Sequence, residues 1–249
     1  MLLPLAGAGA VAAAGTFAYQ AKFPTAQWFG RTFIGLRRGS KPLALTYDDG
    51  PNDPHTLRLL EVLARHRARA TFFLIGRFVQ QRPDIVREII KQGHAIGNHT
   101  FSHPHLIFTG SAETLAELKR CQQAIEDATG ESVRLFRPPF GGRRPGTLHT
   151  ARSVGLAPIL WNIAAYDWNG APADQIVRRI SRRIQGGDVM LLHDGGHKAM
   201  GADRAQTVKA TDMLLQRYVK AGFEFVSIPE MMARAGGGPS CACRSRASC

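Results

Sequence analysis

With 249 residues, 44% of them hydrophobic, the chain can bury a sizeable core, which excludes a protein disordered throughout. Its formal charge of +13 and pI of about 10.4 favour polyanionic partners, yet the Lys and Arg residues fall in nearly every segment and no tract resembles a nucleic-acid-binding arm. A solvated basic surface with no dedicated partner is the default reading of the charge; among specific partners an anionic envelope polymer comes first and nucleic acid second, without specific recognition because no aromatic-plus-basic stacking platform is present.

Residues 1–19 carry no charge and are nearly all apolar or small, as in a signal peptide or membrane anchor. The first positive charges, Lys22, Arg31, Arg37 and Arg38, follow this run instead of preceding it, and an Ala/Gly-rich flexible tail is the alternative. Residues 20–40 read as a linker. From 41 to 232 short apolar runs alternate with amphipathic stretches, which indicates one domain with a parallel sheet and crossover helices. The predicted strands are 42–47, 70–75, 94–97, 133–137, 157–162, 188–193 and 223–228. The predicted helices lie near 54–66, 78–92, 111–129, 145–154, 173–185 and 204–221. In the second helix Pro83-Asp84 opens an apolar stripe of Ile85, Val86, Ile89 and Ile90, and Gly93 stops it. The helix at 173–185 presents Ile176, Ile180 and Ile184 on one face and four arginines around the others, a solvated surface or a binder of acidic polymer. Seven or so such units fit either a closed barrel or a doubly wound sheet. Residues 233–249, with Cys241, Cys243 and Cys249, read as a disordered tail, since Cys-Ala-Cys lacks zinc-ribbon spacing. Cys121, in register with Leu118 and Ile125, reads as a buried small hydrophobe.

Chemistry-bearing residues gather where strands end. The first strand runs into Thr46-Tyr47-Asp48-Asp49-Gly50-Pro51, two adjacent carboxylates at a turn. Side-chain alternation points Asp48 and Asp49 opposite ways, so that they hold different jobs, or both cap the turn. His99 and His103 are four apart, the spacing that puts two imidazoles on one face of a helical turn and lets them share an ion with a carboxylate, or they are two exposed loop histidines. Arg137 precedes Pro138-Pro139, Asp167-Trp168 follows the fifth strand, and His193 closes the apolar run Val189-Met190-Leu191-Leu192. Five such positions on one edge of the sheet shift the reading toward a site.

The Thr-Tyr-Asp-Asp-Gly-Pro and His-Thr-Phe-Ser-His segments, with the others in this order, resemble the polysaccharide deacetylase family, carbohydrate esterase family four, from about Lys41 to Met232. The resemblance implies a deformed (β/α) barrel and a metal-dependent hydrolase that removes acetyl groups, N-acetyl above all, from amino-sugar polymers such as peptidoglycan or chitin-like oligomers at the cell envelope, in the periplasm or outside the cell. It makes Asp49, His99 and His103 the metal ligands, with zinc first and cobalt, nickel or iron compatible with the same donors. It makes Asp48 the catalytic base paired with Arg137, and His193 the general acid held as imidazolium by Asp167. The Phe140 N–H, at a position usually Tyr in the family, would serve the oxyanion, and Leu191 with Trp168 would wall the acetyl pocket. One departure is Ala164, where the family often has an Asp; the alternative reading that follows from it is an inactive glycan-binding module of the same fold.

Overall fold

The computed structural model of the chain describes residues 15–236. Its centre is β1 (Pro42–Gly50), buried over its whole length because parallel strands β2 (Ala70–Leu74) and β7 (Val189–His193) flank it and apolar residues cover both faces. Leu43, Leu45 and Tyr47 point outward into the cluster beneath the helices, whereas Ala44 meets Phe73, Ile159 and Val189 inside the curl. The sheet order is β5 (Ala157–Pro158), β4 (Leu135–Phe136), β3 (Ala95–Asn98), β2, β1, β7, β6 (Ile163–Ala164), with β8 (Glu224–Phe225) against the start of β1; every pair is parallel.

The two ends of that order, β5 and β6, are halves of one stretch, 157–164. The sheet therefore curls back onto itself as a deformed (β/α) barrel, and the strand predicted as continuous over 157–162 is broken where the chain leaves β4 for β7. Residues expected as a linker fill the seam, Phe33 bridging to Ile159 and Gly35 to Asp188.

The surrounding helices follow the apolar periodicity. They are α1 (15–22), α2 (His55–Arg65), α3 (Gly76–Gln81), α4 (Pro83–Lys91), α5 (Ser111–Thr129), α6 (Pro145–Ser153), α7 (Ala173–Ser181), α8 (Ala205–Lys220) and α9 (Ile228–Gly236). The single helix predicted at 78–92 is two, because Pro83 has no N–H to continue the ladder from α3 and instead starts α4. The strand predicted at 223–228 is cut to two residues: Ser227 and Glu230 exchange bonds with each other's backbone in a capping box that starts α9. Cys121 is buried, its Sγ 3.4 Å from the Leu74 carbonyl.

Among the described residues no helix is long and apolar enough to cross a membrane. The apolar stretch 1–19 lies mostly outside the described residues, and so does the tail, whose first positions, 233–236, end α9. Cys241, Cys243 and Cys249 also lie outside them.

Candidate active site

Every predicted site residue lies at one end of the barrel. Asp48 and Asp49 end β1, His99 follows β3, Arg137 follows β4, Asp167 follows β6 and His193 ends β7, in register with Asp48. Alternation along β1 does not hold to its end. The pairing with β2 slips between Asp48 and Gly50, and Asp49 takes a left-handed φ of 73°, which turns its carboxylate back toward the side of Asp48. Both carboxylates thus reach one imidazole: His99 Nε2 lies 3.7 Å from Asp48 Oδ2 and 3.6 Å from Asp49 Oδ1.

The two histidines do not share a helical face. Residues 99–103 form an irregular loop in which Thr100 and His103 adopt φ of 67° and 64°. Side chains hold it: Asn98 Oδ1 accepts from the Thr100 N–H at 2.8 Å, and Thr100 Oγ1 from the His103 N–H at 3.1 Å. Glu117, buried on α5, accepts from the Phe101 and Ser102 N–H groups at 3.0 and 2.8 Å. The outcome is a compact donor set, since one atom from each of Asp49, His99 and His103 lies within 4.8 Å of the others.

The chemistry of this set suits a divalent cation. His99 donates its Nδ1 hydrogen to the Arg137 carbonyl at 2.8 Å, which leaves the Nε2 lone pair facing Asp49. Burial lowers His99 to about 4, so this imidazole is neutral at pH 7. For Asp49 burial alone would favour the acid, but a hydrogen bond from His103 and the charges of His193, His103 and His99 outweigh it and hold the carboxylate well below its usual range. A buried carboxylate beside two imidazoles, with open space in front, is a ligand set that leaves positions for water and substrate.

Arg137 is wholly buried, and each arm of its guanidinium has a partner. Nη1 donates to Asp48 Oδ1 at 2.7 Å and to Thr46 Oγ1 at 2.8 Å; Nη2 and Nε donate to the carbonyls of Leu160 and Ile159 at 3.2 and 3.4 Å. The guanidinium also lies 4.1 Å from the centre of the Phe73 ring. Burial works against its charge, and Asp48 works for it.

Across the cavity, Asp167 takes Nδ1 of His193 at 2.9 Å and the His193 backbone N–H at 2.7 Å, while the Thr207 hydroxyl donates to it at 2.9 Å. Burial opposes charge on His193, yet the Asp167 carboxylate, helped by Asp49 and Asp48, pushes its pKa up to about 9. With Nδ1 spoken for, Nε2 is the proton-bearing atom left for the cavity.

The cavity has a volume of about 700 Å³. Leu191, Trp168 and Phe140 line it together with the carboxylates and histidines. Trp168 stands edge-on to His193 with centroids 5.0 Å apart. Phe140, at φ 57° after the two prolines, is edge-on to His103 and stacked on His105 at 3.9 Å. Ala164 sits buried on β6 beside Leu191.

Sequence reasoning missed the segment 195–204, whose His197 ring stacks on His103 at 4.8 Å. Asn52 secures it: its amide donates to the carbonyls of Asp194 and Ala202 at 2.8 and 2.9 Å and accepts from the Gly201 N–H at 2.7 Å. Asp194 is fully buried, bonded to Thr56, with Oδ1 lacking a partner; burial and the nearby Asp49 raise its pKa to about 7, against the hydrogen bond from Thr56. Only the position after His193 marked Asp194 in the sequence, and nothing local marked Asn52.

Residues 36–159 match the family model described as polysaccharide deacetylase. A chitooligosaccharide deacetylase of Sinorhizobium fredii is 36% identical, the match covering 80% of this chain and 96% of the relative. A peptidoglycan-N-acetylglucosamine deacetylase of Bacillus cereus is 34% identical over 77% of this chain and 88% of its own length. Among solved structures, a family 4 carbohydrate esterase pseudoenzyme from Bacillus anthracis superposes with a TM-score of 0.75 at 27% identity, covering 81% of this chain and 69% of that one.

Proposed function

Since the chain belongs to the polysaccharide deacetylase family, we propose that it hydrolyses the acetamide of N-acetylated amino sugars in peptidoglycan or chitin-like oligomers. The observation that carries this reading is one cavity with an Asp–His–His donor set, a carboxylate held by a buried arginine and a histidine held by a buried aspartate.

In the proposed reaction Asp49, His99 and His103 hold a divalent metal, zinc first among cobalt, nickel and iron. When bound, such a cation supplies a Lewis acid that makes water acidic and polarises the acetyl carbonyl. Asp48, held in place by the bond from Arg137 to its Oδ1, removes the proton of the attacking water. The Phe140 N–H donates to the developing oxyanion, a contact of the kind worth about 3 kcal/mol. Nε2 of His193 delivers a proton to the departing amine, which cannot leave as an anion. Leu191 and Trp168 enclose the acetyl methyl and exclude bulkier acyl groups.

Peptidoglycan lies outside the cytoplasm, so an extracytoplasmic site of action follows, with residues 1–19 as export signal or membrane anchor. A groove that binds glycan without turning it over is the second reading, favoured by the pseudoenzyme neighbour and by Ala164. Retention of base, acid and donor set in one cavity supports turnover, because a binder needs none of them. Acetate release from N-acetylated chitin oligomers and peptidoglycan, with and without chelator, tests the proposal alongside metal analysis. Release that survives metal removal overturns the mechanism, and glycan binding without release by metal-loaded protein selects the second reading.

A further inference from the structure

We propose that the aromatic surface formed by residues 17–28 seats the protein on an anionic phospholipid bilayer, in fixed geometry to the mouth of the active-site cavity. Helix α1 and the turn after it have two unlike sides. Gln20, Ala21 and Ala26 are buried against the barrel, whereas Phe17, Tyr19, Phe23 and Trp28 face outward with 44%, 47%, 52% and 79% of their surface exposed. These rings are ordered among themselves: Tyr19 stacks on Phe23 at 4.5 Å, and the exposed Phe17 meets Phe29 at 5.0 Å. The Trp28 N–H donates to the Gln20 side chain at 3.0 Å, which fixes the turn that displays the indole.

Charge and composition select the occupant. Lys22 within this segment and Arg31 just after it are exposed, and the first 47 residues contain no Asp or Glu. Residues 1–21, leading into this surface, hold no charge at all. An acidic polysaccharide would be served by the cations alone. Large exposed rings with an exposed lysine among them, in a stretch of chain free of carboxylates and continuous with an uncharged apolar run, fit the boundary between lipid headgroups and acyl chains.

The surface is tied to the catalytic end by one side chain. Arg143, buried, donates to the carbonyls of Phe23 and Ala26 at 2.7 and 2.6 Å and to that of Gly141 at 3.1 Å, and its own N–H donates to the Ala21 carbonyl at 3.1 Å. Gly141 follows Phe140 at the cavity wall. A bilayer bound through 17–28 therefore holds the cavity in one orientation toward glycan at the membrane face.

The test uses the full chain with vesicles of phosphatidylcholine, with and without phosphatidylglycerol, carrying bromine on the acyl chains. Sedimentation is expected only with anionic vesicles at low salt, accompanied by quenching of tryptophan emission that Trp28→Phe abolishes. A Phe23→Ser, Trp28→Ser double variant is expected to partition at least roughly tenfold more weakly while keeping its melting temperature, because both positions are exposed. Equal partition of the double variant, which makes the apolar stretch 1–19 the anchor and not the surface around Phe23 and Trp28, overturns the proposal. So does undiminished quenching in Trp28→Phe, or retention on an acidic polysaccharide without binding to vesicles. Since binding is read without turnover, the outcome is independent of the proposed reaction.

Discussion

Replacing Asp167 with Asn isolates the proposed role of His193. The substitution keeps an acceptor for the His193 N–H and removes the charge that faces Nδ1 at 2.9 Å. His193 stands at about 9 instead of its ordinary 6.5, a preference for the imidazolium of about 3 kcal/mol, of which Asp167 is the main favourable source. Without it the ring reverts toward 6.5 or below, since burial then acts with less opposition. At pH 8 the protonated fraction falls from roughly nine-tenths to roughly three-hundredths, a loss of about thirtyfold. The proton donor must be charged to work, so activity declines as pH rises through its pKa, and the alkaline limb of kcat/KM moves down by two pH units or more in the variant. A cation held at Asp49 weakens the assistance His193 draws from that carboxylate in both proteins, so the difference between the two limbs is the diagnostic quantity. Acetate release from an N-acetylated chitin oligomer between pH 5 and 10 measures it. A limb that stays at the wild-type position, with activity reduced equally at every pH, refutes the assignment of His193 as acid.

Asp48→Asn is expected to lower turnover by about 10²–10⁴-fold with metal still bound; loss of metal in that variant, read by metal analysis, means that the two carboxylate roles are exchanged. Arg137→Met leaves Asp48 as a buried charge without its partner and is expected to cost about 3–5 kcal/mol in urea unfolding. Adding Asp48→Asn to Arg137→Met should recover part of that loss, and no recovery would show that the arginine acts through its other bonds. Asp194, raised from 3.8 to about 7 by burial, binds its proton more tightly folded than unfolded and so favours folding below pH 4, losing that contribution as pH rises through 7. Thermal melts of chelated protein should then show Asp194→Asn gaining on the wild type from pH 4 to 7, and a constant difference would contradict the shift.

Much of the fold was legible because apolar period and helix signals agree locally. β1, α2, α5 and α8 lie within one or a few residues of their predicted bounds. The strand ends were legible too, and with them the edge on which Asp48, His99, Arg137 and His193 meet. What was not legible depends on partners far away in the chain. The Asn52 amide bonds carbonyls 142 and 150 residues on, and Glu117 braces a loop 15 and 16 residues before it; neither leaves a local pattern. The reversal at Asp49 is a backbone event, a slipped register with positive φ, that side-chain alternation cannot foresee. The split of the strand at 157–162 has the same origin, since a run of apolar residues does not say which neighbour it will pair with. The Ser227 to Glu230 capping box, by contrast, was present in the sequence as S-x-x-E and would have ended the last strand at its proper place.

That split strand has a consequence for how the protein tolerates change. The backbone between β5 and β6 leaves the ladder of one neighbour before it joins the next, and the carbonyls of Ile159 and Leu160 at this gap are the ones that Arg137 takes. The defect in the barrel wall is thus the socket for the arginine that orients Asp48. Surface loops usually absorb insertions and deletions at little cost, but a single residue added or removed at 159–162 would reseat both the sheet closure and the guanidinium. Length variation across this short span should therefore be poorly tolerated, although no residue in it is proposed to touch the reacting atoms.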